Sequence, residues 1–253
     1  MALKKYEETD VSAIASAIRE KTGGDKTYKV SQMDEGVNEV YEAGKKAEHD
    51  AFWDAYQGNG ALMSYDGAFA GTRWAAETFK PKYDIKCNRA QSMFWNTSRL
   101  NIDLVEHLSK LGLTLDTSSC ATFNQTFTYS SIKRVGVIDA RNAKGNLQDT
   151  FSNSKIVTID KFIVSESNTK YSNTFKGCTL LENVTFEGVI VSDIDFKDCT
   201  KLTKASIDNI YAHLKPDTEF TVTFSKTAVN NAYTTDEWEE LVSRLPYITF
   251  SLI

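Results

Sequence analysis

FKGCTLLENVTF (Phe175–Phe186) and FKDCTKLTKASI (Phe196–Ile207) are one phrase written twice. Both fit F-x-x-C-x-x-L-x-x-[apolar]-x-[apolar], and their phenylalanines lie 21 residues apart. A period of about 20–29 residues with apolar side chains at fixed offsets predicts a solenoid, in which no single repeat can bury its own face. The phenylalanine and leucine are expected to fill one interior layer. The cysteine fits where the backbone turns, and the last two apolar positions form a short strand that pairs with its neighbour.

Weaker copies precede the clear pair. Phe94 opens FWNTSRLNIDLV, Phe127 opens FTYSSIKRVGV and Phe151 opens FSNSKIVTIDKF. Ser130 and Ser154 take the cysteine offset, and the aliphatics Ile132, Val135, Val137, Ile156 and Ile159 arrive one position early. Spacings of 24, 24 and 21 residues between Phe127, Phe151, Phe175 and Phe196 predict loops of varying length on one face. The longer step of 33 from Phe94 to Phe127 holds EHLSKLGLTL, read as a short helix closed by Gly112.

The flanks differ from the repeats. Thr9 or Asp10 can cap a helix bearing Val11, Ile14 and Ile18, stopped at Gly23-Gly24. Ser31 and Asp34 open a second helix. Along it Met33, Val37, Val40, Gly44, Ala47 and Ala51 form a heptad seam, which either packs on its own domain or joins copies of the chain. At the other end Ser206–Leu214 reads as a helix, Phe220–Phe224 as a strand, and Thr234 with Glu237 as a capping box. Trp238, Leu241, Val242 and Leu245 would face inward from that last helix, and Ile248–Leu252 would close as a strand. The expected architecture is an α/β repeat: N-terminal helices over 1–57, an irregular leucine-rich-repeat solenoid over 58–205, and an α/β C-terminal cap over 206–253.

Composition narrows the function. The chain has 253 residues, 41% hydrophobic and 25% charged, enough to bury a core without disulfide or metal. A net charge of −5 argues against nucleic acid. No apolar run nears the roughly 18 residues that span a bilayer, and the opening MALKKYEETD is too polar for a secretion signal. Folding in a reducing cytoplasm is therefore expected, with Cys87, Cys120, Cys178 and Cys199 as free thiols. His49, His107 and His213 are scattered with no zinc spacing, and no P-loop, dinucleotide fingerprint or serine-nucleophile elbow is present. No catalytic residue, metal or cofactor is expected. Asp193 and Asp195 would share one strand face, the arrangement a polysaccharide depolymerase needs, but exposed repeat positions explain them as well. The rings of Trp74, Phe79, Tyr83, Phe94 and Trp95, with Tyr129 and Tyr171 further on, serve either as core or as a platform for sugars or partner pockets. The candidate ligand contacts are Trp74, Tyr83, Trp95 and Tyr129, and the candidate self-association contacts are Met33, Val37, Val40 and Ala47.

The repeat F-x-x-C-x-x-L-x-x-[apolar]-x-[apolar] resembles the BspA-type class of leucine-rich repeats, common on bacterial surface proteins and phage tail-associated proteins. ETDVSAIASAIREKTGGDKTYKVSQM (Glu8–Met33) is similar to the opening helix-turn-helix of tail and baseplate proteins in phages and prophages of Firmicutes. VYEAGKKAEHDAFWDAYQGNG, YDGAFAGTRW, KPKYDIKC and LTKASIDNIYAHL resemble later segments of such phage-borne repeat proteins. The resemblance implies a non-enzymatic virion component at the distal tail or baseplate, assembled in the host cytoplasm. Its implied partners are other tail or baseplate proteins, a host cell-surface receptor and further copies of itself, with no membrane insertion. A receptor-binding adhesin and a depolymerase are the alternatives.

Overall fold

The computed structural model describes Ser16, Trp53, Asp54 and residues 60–253. The chain divides into two compact units, Met1–Tyr56 and Gln57–Ile253. In the first, Ser16 is helical and exposed, while Trp53 is helical and fully buried. The expected N-terminal helices and the seam at Met33, Val37, Val40, Gly44, Ala47 and Ala51 lie outside the described residues.

The second unit is mixed α/β, with three small sheets. Strands β1 (Met63–Ser64), β2 (Ile85–Arg89) and β3 (Leu115–Asp116) pair in that order. So do β4 (Arg134–Asp139), β5 (Thr158–Ile163) and β6 (Asn183–Glu187), and then β7 (Ile194–Phe196), β8 (Phe220–Phe224) and β9 (Ile248–Leu252). Every one of these pairings is parallel. Parallel neighbours in chain order require the chain to return to the same side after each strand.

The return is made at the phenylalanines. Phe69, Phe94, Phe127, Phe151 and Phe175 each sit in a turn whose residues two before and two after have left-handed backbone. The pairs are Gly67 and Gly71, Ser92 and Asn96, Gln125 and Tyr129, Asp149 and Asn153, and Asn173 and Gly177. This alternation aims amides at the next coil: Phe69, Phe94, Phe127 and Phe151 N–H donate to Met93, Thr126, Thr150 and Thr174 carbonyls at 2.7–2.9 Å. The flanking left-handed residues donate in the same direction, as in Asn96 to Thr128 at 2.8 Å and Asn153 to Lys176 at 2.7 Å. Backbone groups removed from water on the turn side are thereby paired between coils.

The rings follow the backbone. Phe94, Phe127, Phe151, Phe175, Phe196 and Phe224 stack in succession with centroids 4.7–5.7 Å apart and planes within 22°. Three residues beyond these rings runs a buried polar row. Thr97 donates to Ser130 Oγ at 2.9 Å, and Cys178 Sγ and Cys199 Sγ lie 3.0 and 3.6 Å from the Phe151 and Phe175 carbonyls. Thr126, Thr150 and Thr174 form a second such row, donating into backbone carbonyls at 2.7–2.8 Å.

Several details depart from the sequence reading. Val137 is exposed, and Ile138 takes the buried position. In β4 and β5 two outward residues separate the buried ones (Val135 and Ile138; Ile159 and Phe162), whereas β6 alternates strictly. The resulting irregularity falls between Ile159 and Phe162, facing Val184 and Phe186. In the second clear copy, Ala205 and Ile207 lie on a helix rather than a strand. The Thr203 hydroxyl accepts from Ser206 N–H and starts that helix one residue later. Tyr171, considered a candidate for exposure, is buried at 2%.

Four helices are described. Helix α1 (Leu104–Lys110) is capped by Asp103 and followed by left-handed Gly112; Leu104 and Leu108 are its buried residues. Helices α2 (Lys204–Ala212), α3 (Lys226–Ala232) and α4 (Thr235–Ser243) lie in the C-terminal segment. The Thr234–Glu237 capping box is formed in both directions. Trp238 is the buried residue of α4; Leu241, Val242 and Leu245 are half-buried. Helix α3 has no counterpart in the sequence reading, its apolar contribution being only Ala228 and Val229.

One charge pair carries a pH prediction. The buried Asp139 carboxylate accepts from Arg141 Nε at 2.9 Å, Nη2 at 2.6 Å and the Arg141 N–H at 3.2 Å. Burial acts to raise its pKa, but the Arg141 guanidinium and amide outweigh burial and hold it below the ordinary carboxylate range. A depressed folded value gives stability above the unfolded pKa of about 3.9, lost as pH falls through the folded one. Arg141→Ala is expected to destabilise the fold at neutral pH, by an amount reduced by solvent screening of the exposed guanidinium. That cost should shrink as pH falls through the depressed folded pKa of the carboxyl, as urea unfolding across acid pH would measure.

Candidate contact surface

The described residues hold no group of three or more His, Cys, Asp or Glu placed to bind a metal. His107 Nε2 is hydrogen-bonded to the Phe79 carbonyl, and His213 Nδ1 to Asn209 O at 2.7 Å. The cysteines are free and buried. Desolvation pushes the Cys178 thiol up to about 12 and Cys199 well above its usual range, so neither supplies a thiolate nucleophile. Cys87 Sγ and Cys120 Sγ donate to Asp116 O at 3.4 Å and Thr122 O at 3.3 Å, and the neighbouring Cys120 thiol, followed by burial, holds the Cys87 thiol far above the ordinary range.

The two aspartates considered for glycoside chemistry are engaged locally. Asp193 Oδ1 accepts from Thr221 N–H at 2.7 Å, and Asp195 accepts from Lys197 N–H at 2.8 Å and pairs with its ammonium at 3.2 Å.

Among the four candidate aromatics, two are exposed on adjoining coils. Trp95 follows Phe94, and Tyr129 follows Phe127 by two; the Asn96 N–H to Thr128 O bond lays these strips side by side. Trp95 is 39% and Tyr129 53% exposed, on adjoining coils. Trp74 lies elsewhere, 8% exposed and edge-on to Phe69 and Phe79 at 6.2 and 5.8 Å. Tyr83 is half-buried, with the Lys82 ammonium 5.2 Å from its ring centroid. Nothing in the spacing of the sequence separates Trp95 from Trp74. Position after a turn phenylalanine does not decide it, since Thr128 and Ser152 stand there too and are buried.

Tyr129 combines exposure with strain. Its φ is +57°, where the equivalent positions carry Gly71, Asn96, Asn153 and Gly177. A side chain with a β-carbon costs about 1–2 kcal/mol in that region, least for asparagine. Tyr129→Asn is therefore expected to stabilise the fold by about 1 kcal/mol, read as a raised melting temperature. An unchanged or lowered melting temperature would show the ring to be held by packing instead.

No family model, curated protein or solved structure matches the chain. The surface must be read from its own chemistry.

A concavity with no counterpart in the sequence reading lies where α1 interrupts the coils. Leu104, Leu108, Leu113, Leu115 and Val137 line a largely apolar groove of about 470 Å³, with Asp160 at its edge. Arg134 forks onto Asp160 with two contacts of 2.8 Å and reaches Asp103 at 3.5 Å. The extra nine or more residues between Phe94 and Phe127 were the available signal.

Proposed function

We propose that the chain is a non-enzymatic structural protein of a phage tail or tail-like particle, with a BspA-like leucine-rich-repeat body that presents its outer wall to the host or to other tail proteins. The observation that carries this reading is the unbroken stack of phenylalanines from Phe94 to Phe224, which commits the core to holding successive coils together. Such a stack places its side chains on an extended wall rather than around one cleft. The local engagement of Asp193 and Asp195 supports a role without catalysis. The segment similar to tail and baseplate proteins, Glu8–Met33, supports attachment through the N-terminal unit, with Met33, Val37, Val40 and Ala47 joining copies.

The test is composition of the particle. Purified tail particles should contain the chain by mass spectrometry, and immunogold labelling should place it at the distal tail. Deleting residues 1–50 should remove it from particles while the remaining chain stays folded. Particles that retain the truncated chain would overturn the attachment role.

The adhesin reading has its own support, the adjoining exposed rings of Trp95 and Tyr129. Trp95→Ala should then reduce binding of the full chain to host cells by about tenfold without changing its melting temperature.

A further inference from the structure

Strand β9 ends its sheet. It pairs with β8 along one edge, and no strand among the described residues pairs with the other. Ile253 shows which edge is taken: its N–H donates to Phe224 O at 3.1 Å, and its carbonyl accepts from Lys226 N–H at 2.8 Å. Successive residues of an extended strand turn their amide groups to alternate edges, so Thr249, Ser251 and Ile253 face β8. Phe250 and Leu252 therefore turn their N–H and C=O groups to the open side. Ile248 offers its carbonyl there, its N–H being taken by Leu245 O at 3.1 Å.

Open edges are normally protected by charge, a proline, a bulge or a covering element. No charged side chain stands between Leu245 and Ile253, and Pro246 lies ahead of the strand, where it removes no donor from it. Instead β9 is bracketed by the two most exposed large apolar side chains among the described residues, Tyr247 at 58% and Ile253 at 68%. The strand also complements itself about Phe250. An antiparallel copy with its twofold axis at Phe250 sets Tyr247 opposite Ile253, Ile248 opposite Leu252 and Thr249 opposite Ser251. The two Phe250 residues then exchange N–H to O bonds, and each Leu252 N–H meets an Ile248 carbonyl. Tyr247 with Ile253 and Thr249 with Ser251 fall in the non-hydrogen-bonded pairs, whose side chains come closest. Aromatic against β-branched and threonine against serine are favourable cross-strand combinations, and no like charges are opposed.

We propose that the open edge of β9 is the contact surface for a second copy of this chain, joined antiparallel about a twofold axis at Phe250. The pairing extends β7–β8–β9 into one sheet shared by two copies. It satisfies the outward amides of both strands and covers the rings and side chains that each copy leaves exposed at its ends. Self-pairing accounts for both ends at once, because the residue that needs cover at one end is the partner of the residue that needs it at the other. A twofold contact is closed, so it yields dimers rather than fibres. The contact uses none of Met33, Val37, Val40 or Ala47, and it does not depend on the chain belonging to a tail.

Sedimentation equilibrium of the full chain across the micromolar range tests it. The parent should self-associate. Tyr247→Lys combined with Ile253→Lys sets lysine against lysine at both ends of the pairing and should weaken that association by about tenfold or more. Both side chains are exposed, so the circular dichroism of the variant should match the parent's. Tyr247→Lys combined with Ile253→Glu sets lysine against glutamate in the same register and should restore the association. If the N-terminal seam joins copies as well, its own step persists in the lysine variant and only the β9 step is lost. The proposal is overturned if the parent stays monomeric, which would leave the edge to a strand of a different protein. It is equally overturned if the lysine variant associates as tightly as the parent, or if the lysine–glutamate variant fails to recover. None of those results bears on particle composition, which decides the tail reading separately.

Discussion

Phe151→Ala is expected to lower the unfolding free energy by about 3–5 kcal/mol, the upper end of what one core truncation does. Phe151 is fully buried and stacks on Phe127 at 5.2 Å and on Phe175 at 5.7 Å, with Phe162 edge-on at 5.9 Å. Its removal opens a void that backbone hydrogen bonds to both neighbouring coils keep from collapsing, since Phe151 N–H is tied to Thr174 O and Tyr129 N–H to Ser152 O. Guanidinium unfolding followed by circular dichroism measures the loss. Phe151→Leu, which retains most of the volume, should cost less than half as much. A loss below about 1 kcal/mol for alanine would mean that the ladder is ornamental to stability and that the strands hold the coils by themselves.

Gly188→Val should be nearly as damaging, for a different reason. Gly188 has φ +94°, and a β-carbon there would run into the Val164 carbonyl. That carbonyl cannot retreat easily, because Val164 N–H donates to Glu187 O at 2.9 Å across the same coil boundary. Strained backbone and steric overlap together should cost about 3 kcal/mol or more. Gly71 provides the control: its φ is +95°, yet a β-carbon would meet nothing within 4 Å. Gly71→Ala should therefore lose only the backbone component, about 1–2 kcal/mol. Equal melting temperatures for the two variants would refute the contact argument.

The repeat was legible where it was written in large apolar residues. Phe94, Phe127, Phe151, Phe175 and Phe196 could be picked out in the sequence because nothing but a ring fills their layer. Phe69, tilted on Phe94 at 5.2 Å, and Phe224, in a strand read as part of the cap, join the same run and were missed. The flanking glycines Gly67 and Gly71 were the missing clue, since they mark the left-handed positions that Ser92, Gln125 and Asp149 disguise elsewhere. Polar residues tolerate that conformation without announcing it. Buried threonines 126, 150 and 174 were invisible for a related reason: a threonine in sequence looks like surface until a carbonyl is placed within reach.

The candidate surfaces were less legible than the core. Trp74 and Trp95 have the same chemistry and lie 21 residues apart, but one packs on Phe69 and Phe79 while the other faces outward.

From the sequence alone came the period, the identity of most interior rings, the α1 insertion and the capping box of α4, all of them set by local preference or by side-chain volume repeated at intervals. Only the tertiary structure decided that Val137 turns out and Ile138 in, that Tyr171 is buried, and that Trp95 and Tyr129 are exposed on adjoining coils. Those outcomes depend on register between coils, where a shift of one residue exchanges inside for outside, and register is a property of two segments together rather than of either one.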